Sequence, residues 1–401
     1  MAGATQGGAD GAARQSGRFL LLYALAVAGG AVAYVPFLTI LLPMRVTAMV
    51  GASDIEWLAY ASFAGAICAS IGNIGFGWLS DLTRTRRPWI AGGLALSCAL
   101  LVGFSQVGRI EVAIGLLMAW QLALNMMLGP LFAWGGDTIP DAQKGTLGGL
   151  LAFAPAAGAL VAAGVTWPGL AGPDARLWLV AMAVAAMVLP VLVLGPPRRF
   201  AQLEPATAPD PPADTRLRGI LWRMWLARLL VQVSEVALFA YLYFWFRSID
   251  PAMDDAAVAR LFGIVLAVSV PLALAVGAWS DRHQRPFLPL PIAALVGAAG
   301  LVAMALAPGL PWAIAGYVLF TLSTAVFLSL HTGQTLRVLP HPRTRGRDMG
   351  LFNLTNTGPA LIMPWLTLAL VPGFGFGALF MVLAGCALAA ALLLARAPQS
   401  M

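Results

Sequence analysis

One apolar stretch, MWLARLLVQVSEVALFAYLYFWF at 224–246, holds the residues best suited to chemistry. Arg228, Gln232 and Glu235 follow one another at intervals of four and three, so on a helix they share one face. A charge at the centre of a bilayer costs about 2.5–3.5 kcal/mol on insertion scales. That face must therefore look into the protein or into a water-filled space. At a rise of ~1.5 Å per residue, Arg228 and Glu235 stand roughly 10 Å apart along the axis. Their partners must then come from other helices, from a substrate or from water. Burial favours a protonated carboxyl and a nearby cation an ionised one, so Glu235 can take up and release a proton near neutrality. Arg228 is then its counter-charge or a substrate ligand. The competing reading is a permanently ionised pair that braces the helix.

Other apolar stretches contribute polar residues at helical spacing. They are Gln121 and Asn125, then His331 with Gln334 and Thr335, then Asn353 and Asn356 with Thr357, and the phenols Tyr34 and Tyr241. Amides both donate and accept, and aromatic rings stack on sugar C–H faces, so the set suits a neutral polyol. The same groups could instead tie helices together, at about 0.6 kcal/mol each. His331 is a second group able to titrate, near one end of its span. The cysteines Cys68, Cys98 and Cys386 sit singly in apolar runs, without disulfide or metal spacing. There is no phosphate-binding loop of the Walker type and no nucleophile–base constellation. The expectation is a protein that is not an enzyme, with no cofactor or metal. A proton is the expected coupling ion, ahead of sodium.

The elements that position these residues follow from composition. Hydrophobic residues make up 60% of the 401 and charged residues 10%, with a mean hydropathy of +0.83. A soluble domain is nearer one quarter charged, so most of this chain belongs in lipid. A spanning helix needs about 20 apolar residues. Twelve such spans are expected, near 19–42, 54–79, 89–107, 109–135, 146–166, 176–195, 219–247, 256–280, 287–307, 311–336, 349–371 and 375–396. The first is too long for a signal-peptide core and reads as a retained helix. Residues 1–17, rich in Gly and Ala, read as a disordered tail. Residues 196–218, rich in Pro and charge, read as a linker between six-helix bundles at 18–195 and 219–401. Of the 24 Lys and Arg residues, 18 fall on the side of the N-terminus. Five (Arg45, Arg109, Arg176, Arg247 and Arg260) fall on the other, and Arg228 lies within a span. This bias puts both termini in the cytoplasm of a cell with a bacterial-type inner membrane. The net charge of +7 therefore reflects membrane orientation, not nucleic-acid binding. The expected partners are a small solute and lipid, for a chain that works as a monomer.

The chain is also duplicated. GFGWLSDLTRTRRPW at 75–89 returns as GAWSDRHQRPF at 277–287, with Asp81 and Asp281 200 positions apart. Pro140 with Lys144-Gly145 returns as Pro340 with Arg345-Gly346. Twelve spans in two halves, each with a Gly, Ser, Asp and Arg loop, resemble the major facilitator superfamily. The match rests on Gly77, Asp81, Arg84, Arg86 and Arg87, echoed by Gly277, Asp281, Arg282 and Arg285. The resemblance implies a latch: the Asp binds the start of a helix in the opposite half, here near Arg345, Arg347 and Asp348, and the Arg residues hold that face closed. Within the superfamily, SDLTRTRRPW and GDTIPDAQKGTLGG resemble the glycoside–pentoside–hexuronide:cation and sucrose-type proton symporters. In the melibiose-type carriers a cation-binding Asp stands where this chain has Asn73, which brings no charge. The implied activity is proton-coupled uptake of a small polar solute such as a sugar or glycoside. Drug or metabolite efflux and a non-transporting assembly role are the alternatives on the same fold. The fourth span has no Arg after Arg109, which counts against efflux.

Overall fold

The computed structural model describes residues 14–50, 54–167, 169–198, 200, 215–250, 253, 255–339 and 342–395. Most of the expected tail and linker lies outside them. The described chain is helical, and its helices run in sequence order as α1 (Gly17–Val50), α2 (Asp54–Leu82), α3 (Arg87–Gly103), α4 (Ile110–Thr138), α5 (Asp141–Val165) and α6 (Pro173–Leu194). The second half continues with α7 (Thr215–Ile249), α8 (Asp255–Arg282), α9 (Pro289–Ala305) and α10 (Leu310–Val338). A last stretch, Arg345–Ala395, is divided at Gly375, where φ is 75° and ψ 177°. Its parts are α11 (345–374) and α12 (376–395). Among the described residues nine helices are long and apolar enough to cross a membrane, and Pro289–Ala305 is a shorter apolar one.

The boundaries depart from the expected ones where backbone chemistry intervenes. α1 continues eight residues beyond the expected 42, to Val50, through a π-helical segment at Phe37–Leu41 that follows Pro36. Proline has no N–H for the helical ladder, and the wider turn absorbs the loss. α5 is broken at Ala152, between Lys144–Leu151 and Phe153–Val165, because Pro155 cannot donate to Leu151 O. The division between α11 and α12 falls at Gly375 and not at Pro372-Gly373, since a positive φ favours glycine. α7 begins at Thr215, inside the expected linker. At the other end, α1 starts at Gly17 behind Ser16, whose hydroxyl caps the N–H of Phe19.

Packing distinguishes the two ends of the molecule. One apolar core runs through both halves and includes Val27, Trp120 and Leu131 with Met224, Phe327, Leu336 and Phe352. A separate core of the second half contains Trp245, Tyr317, Met363 and Phe380. The halves therefore share their interior toward the end that carries the repeated loops, and part toward the other end. The junction is made by α2 against α11, and by α5 against α8 and α10.

Candidate functional site

The repeated loops turn identically. Arg84 and Gln284, 200 positions apart, are the non-glycine residues with positive φ among the described residues, at 51° and 54°. Each ends its helix with a tight turn, through Arg84 N to Asp81 O and Gln284 N to Asp281 O. That turn aims the aspartate one residue-triplet earlier across the molecule.

Asp81 accepts from Gly346 N and Arg347 N at the start of α11, both at 2.9 Å, and pairs with Arg86 at 2.6 Å. Asp281 accepts from Gly145 N at 3.0 Å and from Thr146 N at 2.6 Å, at the start of α5. It also accepts from the Thr146 hydroxyl at 2.8 Å and pairs with Arg337 at 2.9 Å. Each carboxylate thus meets the positive end of a helix dipole in the opposite half. Both are nearly buried, with 4% and 8% of the side chain exposed. The backbones touch here. A Cβ on Gly77 would strike Gly346 O, one on Gly277 would strike Gly145 O, and one on Gly333 would strike Lys144 O.

A further layer of charge lies beneath. Asp137, at the end of α4, receives Arg86 Nε at 2.8 Å on one oxygen and Arg345 at 2.7 Å on the other. Burial alone would lower the Arg86 pKa, but Asp137 and Asp81 outweigh it and raise it, so the guanidinium stays charged. Lys144, 2% exposed, pairs with Asp141 at 2.6 Å and donates to Leu336 O across the junction at 2.9 Å. The other cations of the repeat are placed differently. Arg87 donates to Leu192 O on α6. Arg84, Arg282 and Arg285 are exposed, and no ion pair involves them among the described residues. The expectation that every Arg of the motif closes this face is thus corrected: Arg86 does so, while Arg84, Arg282 and Arg285 are exposed.

Above this layer is a small recess of about 60 Å³ between α4, α7, α10 and α11. Arg228, Thr332, Thr335, Asn353 and Asn356 line it, with Phe132, Met349 and Phe352 as apolar walls. Arg228 donates to Leu328 O at 3.1 Å, to the Thr332 hydroxyl at 3.2 Å and to Asn356 Oδ1 at 3.3 Å. Asn356 in turn donates to Asn353 Oδ1 at 2.8 Å. All three acceptors of Arg228 are neutral. Glu235 is held by the Gln232 amide, and the other Gln232 atom, Oε1, is buried without a partner. Glu235 and Arg228 are within each other's field. The Glu235 field also reaches Tyr34 of α1, a residue 39% exposed.

The remaining expected site residues are placed elsewhere. Asn73 donates to Asn125 Oδ1 at 3.0 Å, and Asn125 donates to Gln121 O at 2.9 Å, which binds α2 to α4. His331 is fully buried. Its Nε2 meets Met224 O at 3.0 Å and its Nδ1 meets the Thr335 hydroxyl at 3.1 Å, so it ties α10 to α7. The side chain of Tyr241 lies outside the described residues. Asp137, Arg337, Thr146 and Thr332 are the participants that sequence reasoning missed. Asp137 and Arg337 occupy equivalent ends of α4 and α10, 200 positions apart and of opposite sign, and the duplication could have exposed them.

By sequence, no family profile matches the chain, and neither does any curated protein. By structure the likeness is extensive. The human organic anion transporter MFSD10 superposes with a TM-score of 0.75 at 13% identity, over 94% of this chain and 99% of that one. The E. coli fucose:proton symporter FucP gives 0.73 at 15% identity, over 96% and 99%. A bacterial homologue of the iron transporter ferroportin, in an outward-facing state, gives 0.73 at 16% identity, over 94% and 98%. At these identities the likeness shows the fold, which is that of the major facilitator superfamily in twelve helices and two pseudo-symmetric halves.

Proposed function

We propose that this multi-pass membrane protein, a chain with the major facilitator fold, is a secondary active transporter. It carries a small polar solute by alternating access between its halves and couples that movement to protons. The observation that carries the reading is the pairing of a recess in the second half, which holds Arg228, Asn353 and Asn356 and is bordered by Phe132 of the first, with two symmetric clasps at one end. Asp81 and Asp281 bind backbone N–H groups that belong to the other half, so each clasp can hold only while the halves are together. Hydrogen bonds to a charged group contribute about 1.5–3 kcal/mol each, enough to hold a two-state equilibrium and weak enough to release it. The charge bias of the loops supports placing both termini and both clasps on the cytoplasmic side of a bacterial-type inner membrane, and the recess then opens outward.

Arg228, with neutral acceptors only, supports a solute rich in oxygen, such as a sugar or glycoside, whose hydroxyl or acid group replaces Thr332 and Asn356. Glu235, two turns further along, is the proton site. Uptake of labelled saccharides and uronides into proteoliposomes under imposed pH or sodium gradients tests both points. A pH gradient should drive uptake. Glu235→Gln should abolish that dependence while solute exchange at equal pH persists. If the variant keeps its pH coupling, Glu235 is not the proton site; if no gradient drives any flux, the symport reading fails.

A further inference from the structure

The repeated loop is used differently in the two halves, and the difference leaves a site on the outside of the second. In the first half Arg86 neutralises Asp81, and Arg87 is tied to α6. In the second half Asp281 is neutralised by Arg337 instead. Arg282 and Arg285 are thereby released. Both are exposed, and among the described residues Arg285 bonds through its backbone, to Ser280. Beside this loop runs an apolar groove of about 230 Å³ between α8, α9 and α10. Val276 and Trp279 form one wall, Ile292 and Val296 the other, and Ala293 and Ser323 the floor. The floor is buried, with Ala293 at 8% and Ser323 at 7% exposed. The Ser323 hydroxyl donates to Phe320 O of its own helix at 2.8 Å, so it presents no free donor to the groove. Trp279 and Pro289 lie where the groove meets the 283–288 loop, and the Trp279 ring stacks on His283 at 4.8 Å between centroids.

We infer that this groove and loop form a binding site for one anionic phospholipid, its acyl chain between α8 and α9 and its phosphate on Arg282 and Arg285. The groove is apolar throughout and faces the lipid side of α8 and α9, which excludes a polar ligand. The exposed Arg282 and Arg285 in the loop that joins α8 and α9, without an ion pair among the described residues, supply the charge complement that a bulk neutral lipid does not need. Trp279 stands at the boundary between the two, where aromatic residues favour the membrane interface. Because α8 carries Asp281 at the same end, an occupied site would sit directly beside the second clasp.

The full-length protein is released from nanodiscs of equal phosphatidylglycerol and phosphatidylcholine, and bound lipid is read by native mass spectrometry. Wild type should retain one phosphatidylglycerol in preference to phosphatidylcholine. Arg282→Gln and Arg285→Gln should each lower that retention about fivefold, and Arg84→Gln, on the mirror loop, should not. Ala293→Trp, which fills the groove, should lower it with both arginines intact. Equal retention of the two lipids overturns the inference. So does wild-type retention in the double arginine variant, or displacement of the lipid by millimolar inorganic phosphate, which would place recognition in the anion alone.

Discussion

At Asp137 two guanidinium groups from different halves meet on one carboxylate, and the rest of the charge network follows from that contact. Removing the carboxylate leaves Arg345, 6% exposed, with no counter-charge among the described residues. Breaking a buried pair in this way costs about 3–5 kcal/mol. Asp137→Asn should therefore lower the melting temperature in detergent by several degrees, whereas Arg84→Gln should not change it. In the recess the relevant residue is Arg228. Its three acceptors diverge around a planar fork, a geometry a lysine cannot reproduce. Arg228→Lys should lose about tenfold or more in proteoliposome uptake, close to the loss in Arg228→Gln. Wild-type uptake by the lysine variant would mean that only the charge matters. Asn73 and Asn125 illustrate the opposite case, polar residues that look like ligands but satisfy each other between α2 and α4.

At the level of elements, the helix crossings depend on glycine. α2 meets α11 at Gly77 and Gly346, and α8 meets α5 at Gly277 and Gly145, with backbone against backbone. No side chain fits there, because the atom it would meet is a carbonyl that cannot swing away. Gly77→Val should hold the two helices apart and raise amide hydrogen exchange at Gly346 and Arg347 by about tenfold or more, as the loss of hydrogen bonds to a charged acceptor implies. Gly75→Val, two residues away in open space, should leave exchange unchanged. Helix breaks follow the same local logic. Pro36, Pro155 and Gly375 each disturb the ladder at a position the sequence marks, although the form of the disturbance differs at each.

For the whole molecule, the two clasps are related by the duplication and join the same pair of bodies. Opening one must strain the other. Asp81→Asn should therefore speed amide exchange at Gly145 and Thr146, on the far clasp, as well as at Gly346 and Arg347. Acceleration confined to α11 would show that the clasps act independently. The division of the apolar interior supports coupling, since the shared core lies at the clasp end and the second half keeps a separate core beyond it.

The sequence alone pointed to the membrane class, the helix count and the two halves, because hydropathy and a 200-residue repeat are properties of the chain in order; the start of α11 as the partner of Asp81 came from the family resemblance. It also singled out Arg228 and Glu235, since a charge in an apolar run needs a reason wherever the helix packs. Only the tertiary structure decided which polar residues face the recess. Asn125 and His331 resemble Asn353 and Asn356 as polar groups on helices, yet the first two are used up between helices, and rotation of each helix about its axis is set by its neighbours. Tertiary packing likewise decided that Arg86 closes the face while Arg282 stays free. Arg86 stands five residues after Asp81 and reaches it, whereas Arg282 directly follows Asp281, which is met by Arg337 across the bundle instead.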